Sequence, residues 1–294
     1  MGVARALFIA WVLVVILLTF VQRKMMYFPA TAQALPVAQF REVTNLYPSA
    51  MDVAFESSNG HRIRGWLLRR TDDPGVRRPL VLMFHGNAGN RAGRISWYDI
   101  LQRAGCDVLA IDYQGYGDSE GKPSQTAIEA DAEATWKYAA DHLDYPSSCI
   151  VVMGVSLGGA AAVHVAALHS QVGNAPAGVI TVSSFSAMVD VAASHYPWLP
   201  VRAVLADRYP SHEKIPKLTA PYLQFHGDRD QIVDARFGRQ LFECAPKLSE
   251  SGVAKRWVTL PESGHNDMLH KCRLLIQQEI GQFIESVAAE TPAR

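Results

Sequence analysis

No two cysteines in this sequence lie close enough to form a C-x-x-C pair. Cys106, Cys149, Cys244 and Cys272 are scattered through 294 residues. That spacing excludes a zinc ribbon and a thioredoxin-like redox motif. A disulfide framework belongs to much shorter chains, so the four are expected as buried thiols. Charge of one sign is also missing: Lys plus Arg and Asp plus Glu both number 28. A nucleic-acid binder carries a basic surplus, so nucleic acid is not an expected partner. Neither G-x-x-x-x-G-K-[ST] nor H-E-x-x-H occurs, which removes phosphate-loop and zincin chemistry. Gly115-Tyr116-Gly117 begins a dinucleotide-like pattern, but the third glycine, Gly121, falls one residue late. No cofactor and no metal are therefore expected. Internal repeats and low-complexity tracts are absent too.

What the chain does have is apolar mass. Hydrophobic residues make up 49% and charged residues 19%, enough for a full core and too apolar for disorder over most of the length. One charge-free run stands apart. Ala6 to Val21 is sixteen residues long, with Arg5 before it and Gln22, Arg23 and Lys24 after it. As a helix it spans about 24 Å, short of a hydrocarbon core of about 30 Å. Snorkelling Arg5, Arg23 and Lys24 make up the difference. Met25, Met26, Tyr27 and Phe28 suit the interface beyond. A cleaved signal peptide needs small residues soon after the run. The first A-x-A patterns, Ala30-Thr31-Ala32 and Ala32-Gln33-Ala34, come late, so an uncleaved signal-anchor over residues 1–24 is expected. The flanking charges are too even to set its orientation. Residues 25–51 then read as a linker and 52–290 as a catalytic domain. Residues 56–98 hold eight arginines against Glu56, Asp72 and Asp73, a local excess of five. A solvated face is the expected reading, with anionic lipid headgroups as the alternative.

From about Asp52 the pattern alternates. Two short stretches flank Asn59-Gly60, a strong hairpin signal. Continuous apolar runs follow, at residues 80–85, 107–112, 149–154, 179–182 and 222–226, as strands buried on both faces require. Helical stretches separate them, one capped by Ser124 or Thr126 and running to about Leu143, others over Leu157–His169 and Ala235–Cys244. A strand over Arg256–Leu260 and one last helix over Met268–Ala288 close the series. The expected class is α/β: a mostly parallel twisted sheet with helices on both faces. Residues 184–221, after the sixth strand, break the alternation with five prolines and several aromatics. They read as a short cap over the C-terminal sheet edge, where open α/β sheets bind ligands.

Gly154-Val155-Ser156-Leu157-Gly158 is G-x-S-x-G between an expected strand and an expected helix. A nucleophile on so tight a turn needs small neighbours. The helix N-terminus beside it offers free N–H groups to an anion. A serine hydroxyl is a poor nucleophile near neutral pH and needs a base. His265 stands in the loop before the last helix, and Asp228 and Asp230 follow the strand ending at His226. Chain order Ser, Asp, His with all three at C-terminal strand ends is the α/β-hydrolase order. Spacing alone does not separate Asp228 from Asp230. Ser156 at the turn excludes an aspartate nucleophile. His85 and His226 read as structural residues at strand ends. His195 and Trp198, in the cap segment, are candidates for the substrate site.

Several stretches together carry a resemblance: Phe84-His85-Gly86-Asn87-Ala88-Gly89-Asn90, Asp112-Tyr113-Gln114-Gly115-Tyr116-Gly117-Asp118-Ser119-Glu120-Gly121, the Ser156 turn, His226-Gly227-Asp228-Arg229-Asp230, Ser263-Gly264-His265-Asn266-Asp267, and Tyr196-Pro197-Trp198-Leu199-Pro200. Over residues 25–285 the chain resembles the α/β-hydrolases. More narrowly it resembles membrane-anchored serine hydrolases related to the fungal bud-emergence hydrolase and to animal alpha/beta-hydrolase-domain proteins, with depalmitoylases among them. The resemblance implies a Ser156–Asp230–His265 triad, an oxyanion hole from the backbone N–H groups of Asn87 and Leu157, and an N-terminal anchor. Gln114 stands where many relatives have arginine, which leaves any role of that arginine unfilled here. The expected function is hydrolysis of an acyl ester or thioester, lipid-like or lipidated, at a membrane. A peptidase or amidase of the same fold and a catalytically silent scaffold are the alternatives.

Overall fold

The computed structural model describes residues 2–71 and 78–288. Eight strands form one sheet: β1 (Met51–Glu56), β2 (Arg62–Leu68), β3 (Leu80–Phe84), β4 (Asp107–Asp112), β5 (Ile150–Val155), β6 (Gly178–Val182), β7 (Tyr222–Gly227) and β8 (Arg256–Leu260). Their spatial order is β8-β7-β6-β5-β3-β4-β2-β1. β2 runs antiparallel to both its neighbours, and every other pairing is parallel. β1 and β2 meet at the Asn59-Gly60 turn, where Gly60 has φ +80°, a conformation that favours glycine.

The central strands are apolar throughout because helices cover both faces. Along β3, Val81 and Met83 point to a core built with Trp97, Leu101, Ile276 and Ile280. Leu80, Leu82 and Phe84 point to the other, with Ile128, Ala132, Ala161 and Val165. This is the two-residue period of a strand. The first face is covered by α2 (Ile95–Arg103) and α7 (Arg273–Ala288), the second by α3 (Gln125–Lys137) and α4 (Leu157–Gln171). Ser124, not Thr126, caps α3 by accepting from Ala127 N at 3.1 Å. The α-helix ends at Lys137, and a π-helical turn, Tyr138–His142, completes the expected length. Ala235–Cys244 is helical as expected. The last helix is broken at Cys272, which separates Met268–Lys271 from α7. The Cys272 thiol points to the Pro261 carbonyl instead.

Three further expectations need correction. Residues 25–51, read as a linker, are packed against the sheet. Tyr27, Val37, Val43 and Tyr47 are buried, and Phe28–Pro29 pairs with Ala88–Gly89 as a short parallel ribbon. The cysteines are not uniformly buried: Cys244 is exposed and Cys149 half-exposed. Cys244 ends its helix beyond the buried stripe of Phe237, Gly238 and Leu241. The arginine-rich stretch is likewise not one solvated face. Arg91 is 2% exposed and paired with Asp112 and Asp118. Asp72, Asp73 and Arg77 lie outside the described residues.

α4 starts almost on top of β3. A Cβ at Gly158 would strike the carbonyl oxygens of Phe84 and His85, and one at Gly159 would strike Ser184. Gly158→Ala must therefore push α4 off the sheet. Such overpacking costs about 1–3 kcal/mol. A urea unfolding midpoint clearly below wild type is the expected result, and an unchanged midpoint contradicts this close approach.

The N-terminal helix α1 (Gly2–Met26) has no fully buried residue. Its length and composition suffice to cross a membrane, as an anchor or a signal sequence does. It does not stand free of the rest. Arg23 donates to Asp207 through Nε at 2.9 Å and Nη2 at 3.1 Å. Tyr27 Oη donates to Asp207 at 3.0 Å and lies 2.7 Å from Tyr209 Oη. Residues 184–221 contain α5 (Met188–His195) and further short helical turns, and this segment faces α1.

Candidate active site

Ser156 sits between β5 and α4 with φ +53° and ψ −117°. A non-glycine residue there is strained by roughly 1–3 kcal/mol. The surroundings hold it: Ser156 N donates to Val182 O at 2.8 Å, and Gly159 N donates to Ser156 O at 2.9 Å. Gly86 lies close opposite, so that a Cβ on it would be 3.5 Å from Ser156 Cβ. The turn thus presents the hydroxyl above the C-terminal edge of the sheet.

The loop after β8 brings His265 to the same spot. Ser156 Oγ lies 3.0 Å from His265 Nε2, and His265 Nδ1 lies 2.7 Å from Asp230 Oδ2. With Nδ1 protonated, His265 donates to Asp230 and accepts from Ser156. The second Asp230 oxygen accepts from Ile232 N at 2.9 Å and Val233 N at 2.8 Å. Burial pushes the Asp230 carboxyl up, but the His265 hydrogen bond and charge and the Val233 N–H outweigh it and hold it below the ordinary range. An ionised Asp230 facing His265 suits the support of an imidazolium. Asp228 is exposed and lines a separate cleft with Arg236, Arg239 and Trp257, while His265 Nδ1 is hydrogen-bonded to Asp230. Geometry therefore joins Asp230, and not Asp228, to the histidine.

Leu157 is the first residue of α4, so its N–H has no intrahelical acceptor. The Asn87 N–H takes no acceptor among the described residues. The rest of Asn87 is fixed. Its carbonyl accepts from Phe28 N at 2.9 Å and from Tyr116 Oη at 2.8 Å. Its side-chain amide donates to Met26 O at 2.8 Å. Behind this loop His85 packs against Tyr113 and Tyr116, and Tyr113 Oη donates to His85 O at 2.8 Å. His226 is fully buried and gives Nε2–H to Val233 O at 2.8 Å. Burial lowers its pKa and keeps it neutral. Both histidines are structural here, as the strand-end positions suggest.

A cavity of about 440 Å³ opens from Ser156, Asn87 and Leu157, within the ordinary size range of ligand pockets. His195 and Trp198 both line it. His195 Nε2 is held by Ile232 O at 2.9 Å, and Trp198 is exposed. Met188, Val191, Leu199 and Val204 add apolar walls from residues 184–221. The far wall is α1, which sequence reasoning did not connect with the site. An all-round apolar helix shows no preferred face in its sequence. Among the described residues no cluster of His, Cys, Asp and Glu has the arrangement of a metal site.

Comparison with known proteins agrees with this architecture. Residues 79–207 match the family model for the alpha/beta hydrolase fold. An uncharacterized protein of Mycobacterium tuberculosis is 37% identical over 246 residues, 84% of this chain and 81% of that one. The chain belongs to the alpha/beta hydrolase family. A plant member, the alpha/beta hydrolase domain-containing protein WAV2 of Arabidopsis thaliana, is 28% identical over 94% of this chain and 91% of its own. An esterase of Pyrococcus furiosus shares the fold with a TM-score of 0.67 at 18% identity, over 89% of this chain and 97% of that one.

A further buried carboxyl lies outside the triad. Asp131 is fully buried and accepts from Gln114 N at 2.8 Å and Gln114 Nε2 at 2.7 Å. Asn59 Nδ2 donates to the Gln114 carbonyl at 2.9 Å. Burial pushes the Asp131 carboxyl up to about 6, against the smaller downward pull of the Gln114 and Ser57 hydrogen bonds and of His61. A carboxyl raised on folding contributes stability that is complete below its unfolded pKa near 4 and is lost as pH rises through about 6. That loss is on the order of 3 kcal/mol. Gln114→Arg supplies a full positive charge. Its melting temperature is expected to fall less than that of wild type between pH 4.5 and 7.5. Equal falls contradict this assignment. Comparing each protein with itself across pH cancels any steric cost of the larger side chain.

Proposed function

We propose that this chain is a membrane-anchored serine hydrolase that cleaves carboxylic esters or thioesters through an acyl-enzyme. The observation that carries the reading is the continuous hydrogen-bonded series from Ser156 through His265 to Asp230. In this reading Ser156 Oγ attacks the acyl carbonyl while His265 Nε2 takes its proton. The Asn87 and Leu157 N–H groups hold the tetrahedral oxyanion, and losing one such donor typically costs about 2.7–4 kcal/mol. The intermediate collapses, His265 gives the proton to the leaving oxygen or sulfur, and the acyl group stays on Ser156. Water then attacks, with His265 as base, and the acid leaves. Asp230 keeps the Nδ1–H tautomer and stabilises the imidazolium. His195 and Trp198 contact the acyl group. Residues 1–24 act as a single-pass anchor and residues 52–290 carry the chemistry.

The test is release of nitrophenol from p-nitrophenyl butyrate and p-nitrophenyl palmitate by the full-length protein in detergent, beside Ser156→Ala. Ser156-dependent release is expected. Its absence with both esters in folded protein overturns the reading and moves the silent scaffold ahead.

A further inference from the structure

α1 is built into the cavity rather than merely tethering it. Its residues Val14, Val15, Leu18, Thr19, Gln22 and Met26 line the cavity that contains Ser156. Their spacing of three to four, doubled by adjacent pairs, is one face of a helix. Val15, Leu18, Thr19 and Gln22 are half-buried, whereas Leu13, Ile16, Leu17 and Phe20 on the other side are 60%, 49%, 60% and 83% exposed. From Val14 to Met26 the wall runs about 18 Å at 1.5 Å per residue. Except for Thr19 and Gln22 it offers nothing polar.

Contacts at both ends fix its position. At the C-terminal end, Met26 O accepts from the side chain of Asn87, the residue beside Ser156. Gln22 donates to Val204 O at 3.3 Å and accepts from Ala206 N at 2.7 Å. Further along, Trp11 Nε1 donates to Trp198 O at 3.3 Å. Polar contacts therefore bracket the wall that α1 shares with residues 184–221, and that wall extends from the Ser156 end to Val14 in the apolar middle of α1. A short acyl group would leave most of this slot unfilled.

We infer that α1 forms one wall of the acyl site, and that Val14, Val15 and Leu18 select long, membrane-resident acyl chains. This rests on the reading of Ser156 as the nucleophile. With α1 in a bilayer, its exposed face meets lipid and its cavity face meets substrate. A long chain then slides along the helix to bring its ester or thioester carbonyl to Ser156. Each methylene buried in this slot adds about fourfold in affinity, so preference for length is the property to read.

The experiment uses full-length protein in phosphatidylcholine vesicles with p-nitrophenyl butyrate and palmitate. The readout is the palmitate-to-butyrate ratio of kcat/KM. Leu18→Trp fills the slot and is expected to lower this ratio at least tenfold. Leu17→Trp, on the lipid-facing side, should keep the wild-type ratio. Equal ratios in wild type and Leu18→Trp overturn the inference. So does an equal fall in Leu17→Trp, which would make it an effect of the helix in the bilayer. If Leu18→Trp no longer labels with a fluorophosphonate, Leu18→Ala takes its place. Loss of the contact should then lower the ratio threefold or more, and an unchanged ratio overturns the inference. Wild type that cleaves neither ester through Ser156 refutes the underlying reading instead. Monopalmitoylglycerol and an S-palmitoylated peptide both carry this chain. Running each beside its butyryl counterpart identifies the source, and Leu18→Trp must weaken whichever palmitoyl compound is cleaved.

Discussion

Replacing Ser156 with alanine is expected to lower kcat for ester hydrolysis about a millionfold, the loss typical when a triad nucleophile is removed. The geometry explains the size. Ser156 is the atom donor of the covalent step, and no neighbouring hydroxyl can replace it: Ser183 and Ser184 are fully buried behind the turn. The Asn87 and Leu157 N–H groups persist in the variant. A residual acceleration of about 10³–10⁴ over water is therefore expected to remain. Alanine at φ +53° retains the strain of the turn, so circular dichroism should show a folded protein. Fluorophosphonate labelling should disappear with activity. A variant that still labels would mean that a different side chain is the nucleophile.

Asp230→Asn should lower kcat by about 10⁴, and Asp228→Asn should stay within a few-fold of wild type. Asparagine at 230 can still accept from Ile232 N and Val233 N, as Asp230 does. To do so it turns its NH₂ group toward His265 Nδ1. The imidazole must then accept there and carry its proton on Nε2, facing Ser156. It can no longer take the serine proton. Among the described residues Asp228 makes no hydrogen bond to His265 or Ser156, whose partners are Asp230 and each other, so its loss touches no step. Comparable losses in the two variants would separate activity from the hydrogen-bonded series.

Much of this architecture is legible in the residues themselves. The run LVLMF at 80–84 can be buried on both sides only in the middle of a covered sheet, and it is β3. Ala235–Cys244 carries turn residues before it and a buried stripe along it, and its ends fall where expected. The Ser156 turn follows from Gly154, Gly158 and Gly159, where a Cβ would strike the first turn of α4, the end of β3 and Ser184 respectively. Other features have no local signal. Asp228 and Asp230 differ only in what the loop between β7 and the helix Ala235–Cys244 does with them. The break at Cys272, where φ is −120° and ψ 19°, interrupts a continuous helical pattern with no signal in the residues around it. Residues 25–51 lack a clear period, so their packing depends on partners far along the chain, as when Tyr47 Oη reaches Tyr98 O. Arg91 reads as one more surface arginine until Asp112 and Asp118 surround it.

The Arg23–Asp207 pair and the Tyr27–Tyr209 contact close over the end of α1 like a clamp. A tether with a slack linker would let the catalytic centre drift above the bilayer and meet any soluble ester. The clamp removes that freedom. On the proposed reading, with α1 inserted in a bilayer, the clamp would hold Ser156 at one set height over the lipid, and the protein would work as a depth gauge.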